Sequence, residues 1–365
     1  MSIVFYLLIG TLGGVAGAIQ GPVNGALGKR IGPLQATLVS FTGALIIITC
    51  GNIVYALFSG QSYGLAHIVE CEPWMLLGGP EGAFVVLGAA TCTPRLGVAL
   101  TATLTTLGQM TSCLLIDAFG LLGTTAVPTN PLRVVGILVF LAGVVLVHHG
   151  QVLQRQKEEE AATGAAVEAD AAVEAGAKAD AAGEAGAKVG IVGEQAGKTP
   201  STAQPPAATS AQVSSKKKPA VFYVIFMFIC GVAAGIQLPT NVALQSHVGL
   251  LEALLFHFTF GSICILTVVL ITQKGKLNSL SGIAPWKMTG GVCGVIGLPI
   301  MIFVTPVVGT ALNSALMALG QLAGGLLIDA KGLLQVRKVP LNAWRIAGVC
   351  VLVVSIILVA IGRMM

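Results

Sequence analysis

Two short strings of amide and proline residues stand inside long apolar stretches. Each carries glutamine, proline and asparagine at alternate positions, first as Gln20, Pro22, Asn24 and again as Gln237, Pro239, Asn241. The two amides of a string are four residues apart, so they share one face of a helix. The proline between them lacks an N–H group and frees a backbone carbonyl. We therefore expect helix kinks at both prolines and amides that bind a polar solute.

Other polar side chains inside apolar stretches extend this prediction. Gln109 and Gln321 could complete the polar lining. Glu81 and His257 have no counterpart of their own type, and an ionisable group inside a membrane is a functional candidate for proton or cation coupling. The alternative is that the amides only hydrogen-bond neighbouring helices, as Asn and Gln commonly do in membrane proteins.

Two carboxylates follow a different pattern. Asp117 and Asp329 end apolar stretches, and Arg133 and Arg345 stand at the start of the stretches that follow. Because each Asp and its Arg would reach the same membrane face, we expect two structural ion pairs that anchor the helix corners.

The elements that must position these residues are transmembrane helices. The chain is 55% hydrophobic and only 10% charged, well below the charged share of a soluble domain. Ten apolar stretches are long enough to span a bilayer. They lie near 3–26, 34–58, 74–93, 97–118, 132–150, 220–243, 250–272, 286–305, 308–328 and 342–362. The eight cysteines are scattered singly, which indicates neither a disulfide framework nor a metal site.

The ten stretches form two copies of a five-helix unit. Residues 74–136 align without a gap with residues 286–348, and roughly two positions in five are identical. Each unit has an odd number of spans, so a second copy enters the membrane from the opposite side. This predicts an all-α fold of two inverted repeats with a site near the midplane at the repeat interface.

Composition divides the chain into three parts. Residues 1–153 and 220–365 are the two repeats, and residues 154–219 form a low-complexity linker, disordered or transiently helical, with EAGAK units. Lys and Arg are enriched in cytoplasmic loops, and most of them fall on one side of the predicted topology. These are Lys29, Arg30, Arg95, Arg155, Lys157, Lys216–Lys218, Lys274, Lys276, Lys287, Lys331, Arg337, Lys338 and Arg345. We expect both termini outside and a cytoplasmic linker.

Several strings resemble a known family. QGPVN and QLPTN, the SF and HF pairs that end at Phe41 and Phe258, and the repeated GQ, LLID and GLL strings are similar to the YdcZ family of the drug/metabolite transporter superfamily. The resemblance covers everything except the linker. It implies a fused pair of five-helix units that carries a solute across the plasma (inner) membrane, in the direction of export.

A transporter that works by alternating access therefore accounts best for the sequence. The expected partners are a small solute and the lipid bilayer, without a cofactor, a metal or nucleic acid; the sequence leaves a homodimer open. The alternative is a membrane scaffold or channel-like subunit that does not transport. No HExxH, GxSxG or paired-Asp pattern indicates an enzyme.

Overall fold

The computed structural model describes residues 2–59, 68–96, 98–126, 130–186, 220–273, 278–336 and 338–364. In these residues the regular secondary structure consists of helices, without a strand. Ten long helices follow one another: α1 Ile3–Ile31, α2 Pro33–Ser59, α3 Gly78–Leu96, α4 Val98–Phe119, α5 Pro131–Gly186, α6 Ala220–Val248, α7 Leu250–Gln273, α8 Gly290–Val308, α9 Thr310–Lys331 and α10 Ala343–Met364. Short 3₁₀ turns precede α3 and α8, at Pro73–Leu77 and Pro285–Met288.

The helices form because lipid offers backbone groups no hydrogen-bond partner, so each apolar segment must satisfy its own. Nine helices in the described part of the chain are long and apolar enough to cross a membrane, and α4 packs among them. The expected all-α membrane fold is confirmed. The protein is thus an integral membrane protein that crosses the bilayer several times.

Glycines with positive φ end the first helix of each repeat. Gly32 has φ +90° and its N–H donates to Gly28 O at 2.9 Å. Gly249 has φ +91° and its N–H donates to Gln245 O at 2.9 Å. Residues with a Cβ adopt this conformation at a cost. Glycine at both positions therefore lets α2 and α7 begin one residue after the preceding helix ends.

The same contacts occur twice, related by the offset between the repeats. A Cβ on Gly14 of α1 would lie 2.0 Å from Met317 O of α9, and a Cβ on Gly231 of α6 would lie 2.3 Å from Thr105 O of α4. Two further reciprocal contacts join α5 and α10, where asparagine amides donate to carbonyl oxygens at 2.5 Å, from Asn130 to Gly362 and from Asn342 to Gly150. The structure therefore has a pseudo-twofold relation between its halves.

Helix directions show that the repeats are inverted. Gly10 meets Asn313 and Ala18 meets Gly324, so α1 and α9 run parallel. The helices α6 and α4 are also parallel, because Gly231 meets Thr105 and Gly235 meets Ser112. Asp117, near the end of α4, contacts Thr310 and Ala311 at the start of α9, so α4 and α9 are antiparallel. It follows that α1 and α6, the first helices of the two repeats, run in opposite directions.

Two compact units divide the chain, one of Met1–Gln154 with Pro219–Met365 and one of Arg155–Lys218. The predicted linker begins within α5, which continues as a helix to Gly186. Residues 187–219 lie outside the described residues, and so do Lys274, Lys276 and Arg337. The linker and its membrane side therefore stay predictions.

Candidate functional site

A cavity of about 150 Å³ lies between the two repeats. Most residues that line it come in pairs related by the pseudo-twofold. The polar and aromatic pairs are Gln20 with Gln237, Gln109 with Gln321, Ser40 with His257, and Phe41 with Phe258. A lining made of such pairs means that the cavity straddles the pseudo-twofold axis. We call it the central cavity.

The four glutamines come from α1, α4, α6 and α9, and glycines leave room for them. The amide nitrogen of Gln237 would lie 2.7 Å from a Cβ on Gly82, and that of Gln321 would lie 3.0 Å from a Cβ on Gly17. Within the described residues none of the four side-chain amides has a hydrogen-bond partner. All four amides line the cavity, so they are available to hydrogen-bond a solute or water there.

The asparagines of the two strings lie beside the central cavity rather than in its lining. Asn241 is fully buried, and its Nδ2 donates to Gln237 O at 2.9 Å. Asn24 lines a neighbouring cavity, and its buried Oδ1 has no hydrogen-bond partner in the described structure. Gly78 and Gly290 pack against these amides so closely that a Cβ would lie 2.4 Å from Asn241 Oδ1 and 2.0 Å from Asn24 Oδ1.

His257 lines the central cavity and is 3% exposed. Its Nδ1 lies 2.9 Å from Asn241 Oδ1. Because Asn241 Nδ2 already donates to Gln237 O, the oxygen of the amide faces the ring, and Nδ1 of His257 is the donor. The ring packs edge-on against Phe258, with centroids 5.0 Å apart, and parallel to Phe41 at 6.0 Å.

Glu81 stands at the position of Cys293 in the second repeat, and the two differ in placement. Cys293 lines the central cavity, whereas Glu81 does not. Glu81 Oε2 is buried and has no hydrogen-bond partner among the described residues. Coupling through Glu81 or His257 stays a prediction.

The two carboxylates lie against the expected arginines. Arg133 Nη2 donates to Asp117 Oδ2 at 2.9 Å, and Arg345 Nη2 donates to Asp329 Oδ2 at 2.8 Å. All four residues are buried. Asp117 also accepts hydrogen bonds from Thr310 Oγ1 and from Ala311 N, so it joins the first repeat to the start of α9.

Pro22 and Pro239 lie inside α1 and α6, which continue past them. Pro239 cannot donate to Gly235 O, and that carbonyl lies 3.8 Å from the Cys113 thiol, which donates to it. The structure thus places one freed carbonyl in a contact between α6 and α4. Kinks at the two prolines remain predictions.

A second cavity, of about 130 Å³, adjoins the central one and shares Gln20 and Gln321 with it. It extends between α1 and the helices α3 and α4 as far as Thr93 and Thr101. Thr93 lies in the last turn of α3 and Thr101 in the first turn of α4. We call this space the α3–α4 cavity, and it reaches one end of the bundle.

The equivalent region of the second repeat is closed by hydrogen bonds. Thr305 and Asn313 occupy the positions of Thr93 and Thr101. Asn313 Nδ2 donates to Thr305 Oγ1 at 2.7 Å and to Met301 O at 3.0 Å, which ties α9 to α8. A cavity of about 380 Å³ lies at this end, and it shares no lining residue with the central cavity.

Sequence reasoning missed several lining residues, among them Ser40, Phe41, Phe258 and the glycines Gly82 and Gly294. A signal for the glycines is present, because both repeats carry the pattern GGxxG, at 78–82 and at 290–294. Such duplicated glycines indicate close backbone contacts. Within the described residues, no group of His, Cys, Asp and Glu could hold a metal ion.

A comparison with protein families supports the division of the chain into two repeats. A family model described as "Putative inner membrane exporter, YdcZ" matches residues 5–146 and again residues 222–358. The two matches coincide with the two repeats and together cover most of the chain. No curated protein matches it. The chain therefore belongs to the YdcZ family of the drug/metabolite transporter superfamily, with two family units in one polypeptide.

Proposed function

We propose that the protein exports a small solute by alternating access, with the solute bound in the central cavity by Gln20, Gln109, Gln237 and Gln321. Family membership makes the chain a membrane transporter of an exporter family. The substrate, the site and the mechanism are our proposal. We assign transport rather than catalysis.

The observation that carries this proposal is the paired lining of the central cavity. A site on the axis between inverted repeats contacts both halves equally, so exchanging the conformations of the halves can expose it to either side. The four amides without internal partners supply hydrogen bonds for a polar solute. Asn24 and Asn241 support the lining from outside it.

The two repeats differ in conformation beside the central cavity, and this departure from the pseudo-twofold symmetry supports two alternating states. The α3–α4 cavity adjoins the central cavity, whereas the Asn313–Thr305 hydrogen bond closes the equivalent place between α8 and α9. Met301 also fills space there, at the position that Ala89 holds in the first repeat. The described conformation therefore fits a state that is accessible from the α3–α4 end. The opposite state would exchange these arrangements.

Lys and Arg residues suggest which membrane side this end faces. Lys29 and Arg30 lie in the last turn of α1, and Arg95 lies in the last turn of α3. Under the positive-inside rule this end is cytoplasmic. A cavity open toward the cytoplasm suits the loading step of an exporter.

Comparing solutes in cells tests the proposal without a known substrate. Cells that express the protein, the double variant Gln109→Leu with Gln321→Leu, or the control Thr111→Leu are compared by mass spectrometry of cell extract and medium. Thr111 lies on α4 near Gln109, but its side chain is exposed on the outside of the bundle. We expect the parent and Thr111→Leu to move the same solutes into the medium and the glutamine variant to lose this activity. Equal export by the glutamine variant would refute the site.

A further inference from the structure

The lining of the central cavity restricts the solute by charge. Among its described lining residues none is Asp, Glu, Lys or Arg. Moving an ion from water to such a place without a counter-charge is unfavourable. Four glutamines, which offer both donors and acceptors, supply most of the polarity. The solute class that fits is uncharged and forms hydrogen bonds of both kinds.

His257 adds a hydrogen-bond acceptor with a defined direction. A chain of two hydrogen bonds fixes the ring: Asn241 donates to the Gln237 carbonyl, and His257 Nδ1 donates to Asn241. In the neutral ring the proton is therefore on Nδ1, and Nε2 carries a lone pair. The first repeat has no equivalent, because Ser40 occupies the corresponding position.

A donor stands next to this acceptor. A Cβ on Gly82 would lie 2.9 Å from His257 Nε2 and 2.7 Å from Gln237 Nε2, so the two nitrogens flank the same glycine. If the Gln237 amide were flipped, its oxygen would lie beside the lone pair of His257 Nε2, and two hydrogen-bond acceptors would be adjacent without a proton between them. The NH₂ group of Gln237 therefore faces this place, and a donor and an acceptor lie side by side.

The shape of the wall adds a second restriction. Phe41 and Phe258 have ring centroids 5.6 Å apart at an interplanar angle of 63°, and both line the central cavity beside His257. Aromatic faces and edges of this kind favour contact with a flat ring. A cavity of about 150 Å³ is the size that holds benzene in other proteins.

We propose that the central cavity binds small, flat, uncharged solutes with an amide-like group, whose carbonyl accepts from Gln237 Nε2 and whose N–H donates to His257 Nε2. This inference rests on the proposed function. It assigns His257 a role in specificity, and it gives the solute one orientation, with the amide toward α6 and α7.

Four probes of similar size separate the requirements. Benzamide is neutral and has both hydrogen-bonding groups, acetophenone keeps the carbonyl but lacks the N–H, benzoate is an anion and benzylammonium is a cation. Binding is measured as protection of Cys293, which lines the central cavity, from a thiol reagent. The protein carries Cys293 as its single cysteine and is first shown to export as the parent does.

We expect protection by benzamide, and protection by acetophenone at concentrations about tenfold higher, because one hydrogen bond is lost. The charged probes should be at least about tenfold weaker than benzamide. His257→Phe should weaken benzamide about tenfold, and His257→Gln, which keeps an acceptor, should retain much of the binding. Thr111→Leu, on the exposed outer face of α4, is the control and should leave benzamide binding unchanged.

The outcomes separate this inference from the proposed function. If benzoate or benzylammonium protects as well as benzamide, the amide class is wrong and the cavity still binds solutes. If no probe protects but the Gln109 and Gln321 variant loses export, the amide class is wrong and the transport site stands. If no probe protects and that variant exports normally, both are overturned. Should His257→Phe fail to fold, acetophenone and His257→Gln decide the role of His257.

Discussion

Replacing Thr305 by valine should open the α8–α9 side of the central cavity. Valine keeps the shape of threonine but removes the hydroxyl that accepts from Asn313 Nδ2 at 2.7 Å. Asn313 then retains only its bond to Met301 O. In the parent protein this interhelical hydrogen bond stabilises the closed arrangement. Its loss in the variant therefore shifts the population toward the opposite state.

The size of this shift follows from the free energy that a hydrogen bond between membrane helices contributes. Such bonds contribute about 0.6 kcal/mol on average and about 1.7 kcal/mol at most. With about 1.36 kcal/mol for each factor of ten, the open population should rise by about 3- to 18-fold while it remains the minor state. Two hydrogen bonds lost together, as in Asn313→Ala, would give a larger shift.

Labelling of Cys293 from each side of the membrane measures the shift. A membrane-impermeant thiol reagent is added to intact cells and to inverted vesicles that contain the single-cysteine protein. Thr305→Val should raise the labelling rate from the outside by the calculated factor and lower it slightly from the inside. Thr93→Val is the control, because Thr93 holds the equivalent position but lines the α3–α4 cavity instead of bonding α4. Unchanged outside labelling, or an equal rise in both variants, would refute the reasoning.

Further predictions concern the packing of the bundle and its buried ion pair. Gly14→Ala should destabilise the protein by roughly 1–3 kcal/mol, because its Cβ would lie 2.0 Å from Met317 O, and a lower midpoint of thermal unfolding would show this. Gly25→Ala in the same helix meets nothing within 4 Å and should stabilise by up to about 1 kcal/mol; equal midpoints for the two variants would contradict the close contact of α1 with α9. Asp117→Ala should cost about 3–5 kcal/mol because Arg133 loses its buried carboxylate, and an unfolding midpoint within a degree of the parent would disprove that cost.

The membrane fold follows from the sequence because it depends on general constraints. Lipid requires helices of a minimum length, and a gapless repeat with an odd number of spans requires inversion. These arguments need no knowledge of individual contacts. They also led to Gln20 and Gln237 in the cavity lining, since a midplane site between inverted repeats must be lined by duplicated polar residues.

The exact lining depends on contacts that spacing cannot supply. Gln237 and Asn241 share a helix face, and the sequence treats them alike. The structure separates them, because Gly78 lets α3 pack directly on Asn241, which bonds to His257 and to the backbone of α6. Which of two neighbouring amides faces a cavity is decided by a partner helix far away in sequence.

The closed side of the cavity was also beyond sequence analysis. Thr93 with Thr305 and Thr101 with Asn313 are aligned pairs, and neither pair indicates which side is closed. In the structure asparagine at 313 donates across to α8, whereas Thr93 and Thr101 both line the α3–α4 cavity. Only the structure shows that the bond between α8 and α9 forms and that a cavity lies at the other end.

Reversible closure of one side tests alternating access most directly. Cysteines replace Thr305 and Asn313, whose side chains touch at 2.7 Å, in protein that otherwise lacks cysteine, and a short thiol crosslinker joins them. Export of a solute found in the cell comparison is then measured before and after reduction. The account predicts that crosslinking stops export, that Cys293 added back is still labelled from the cytoplasmic side, and that reduction restores export. Continued export by the crosslinked protein would contradict alternating access through the central cavity.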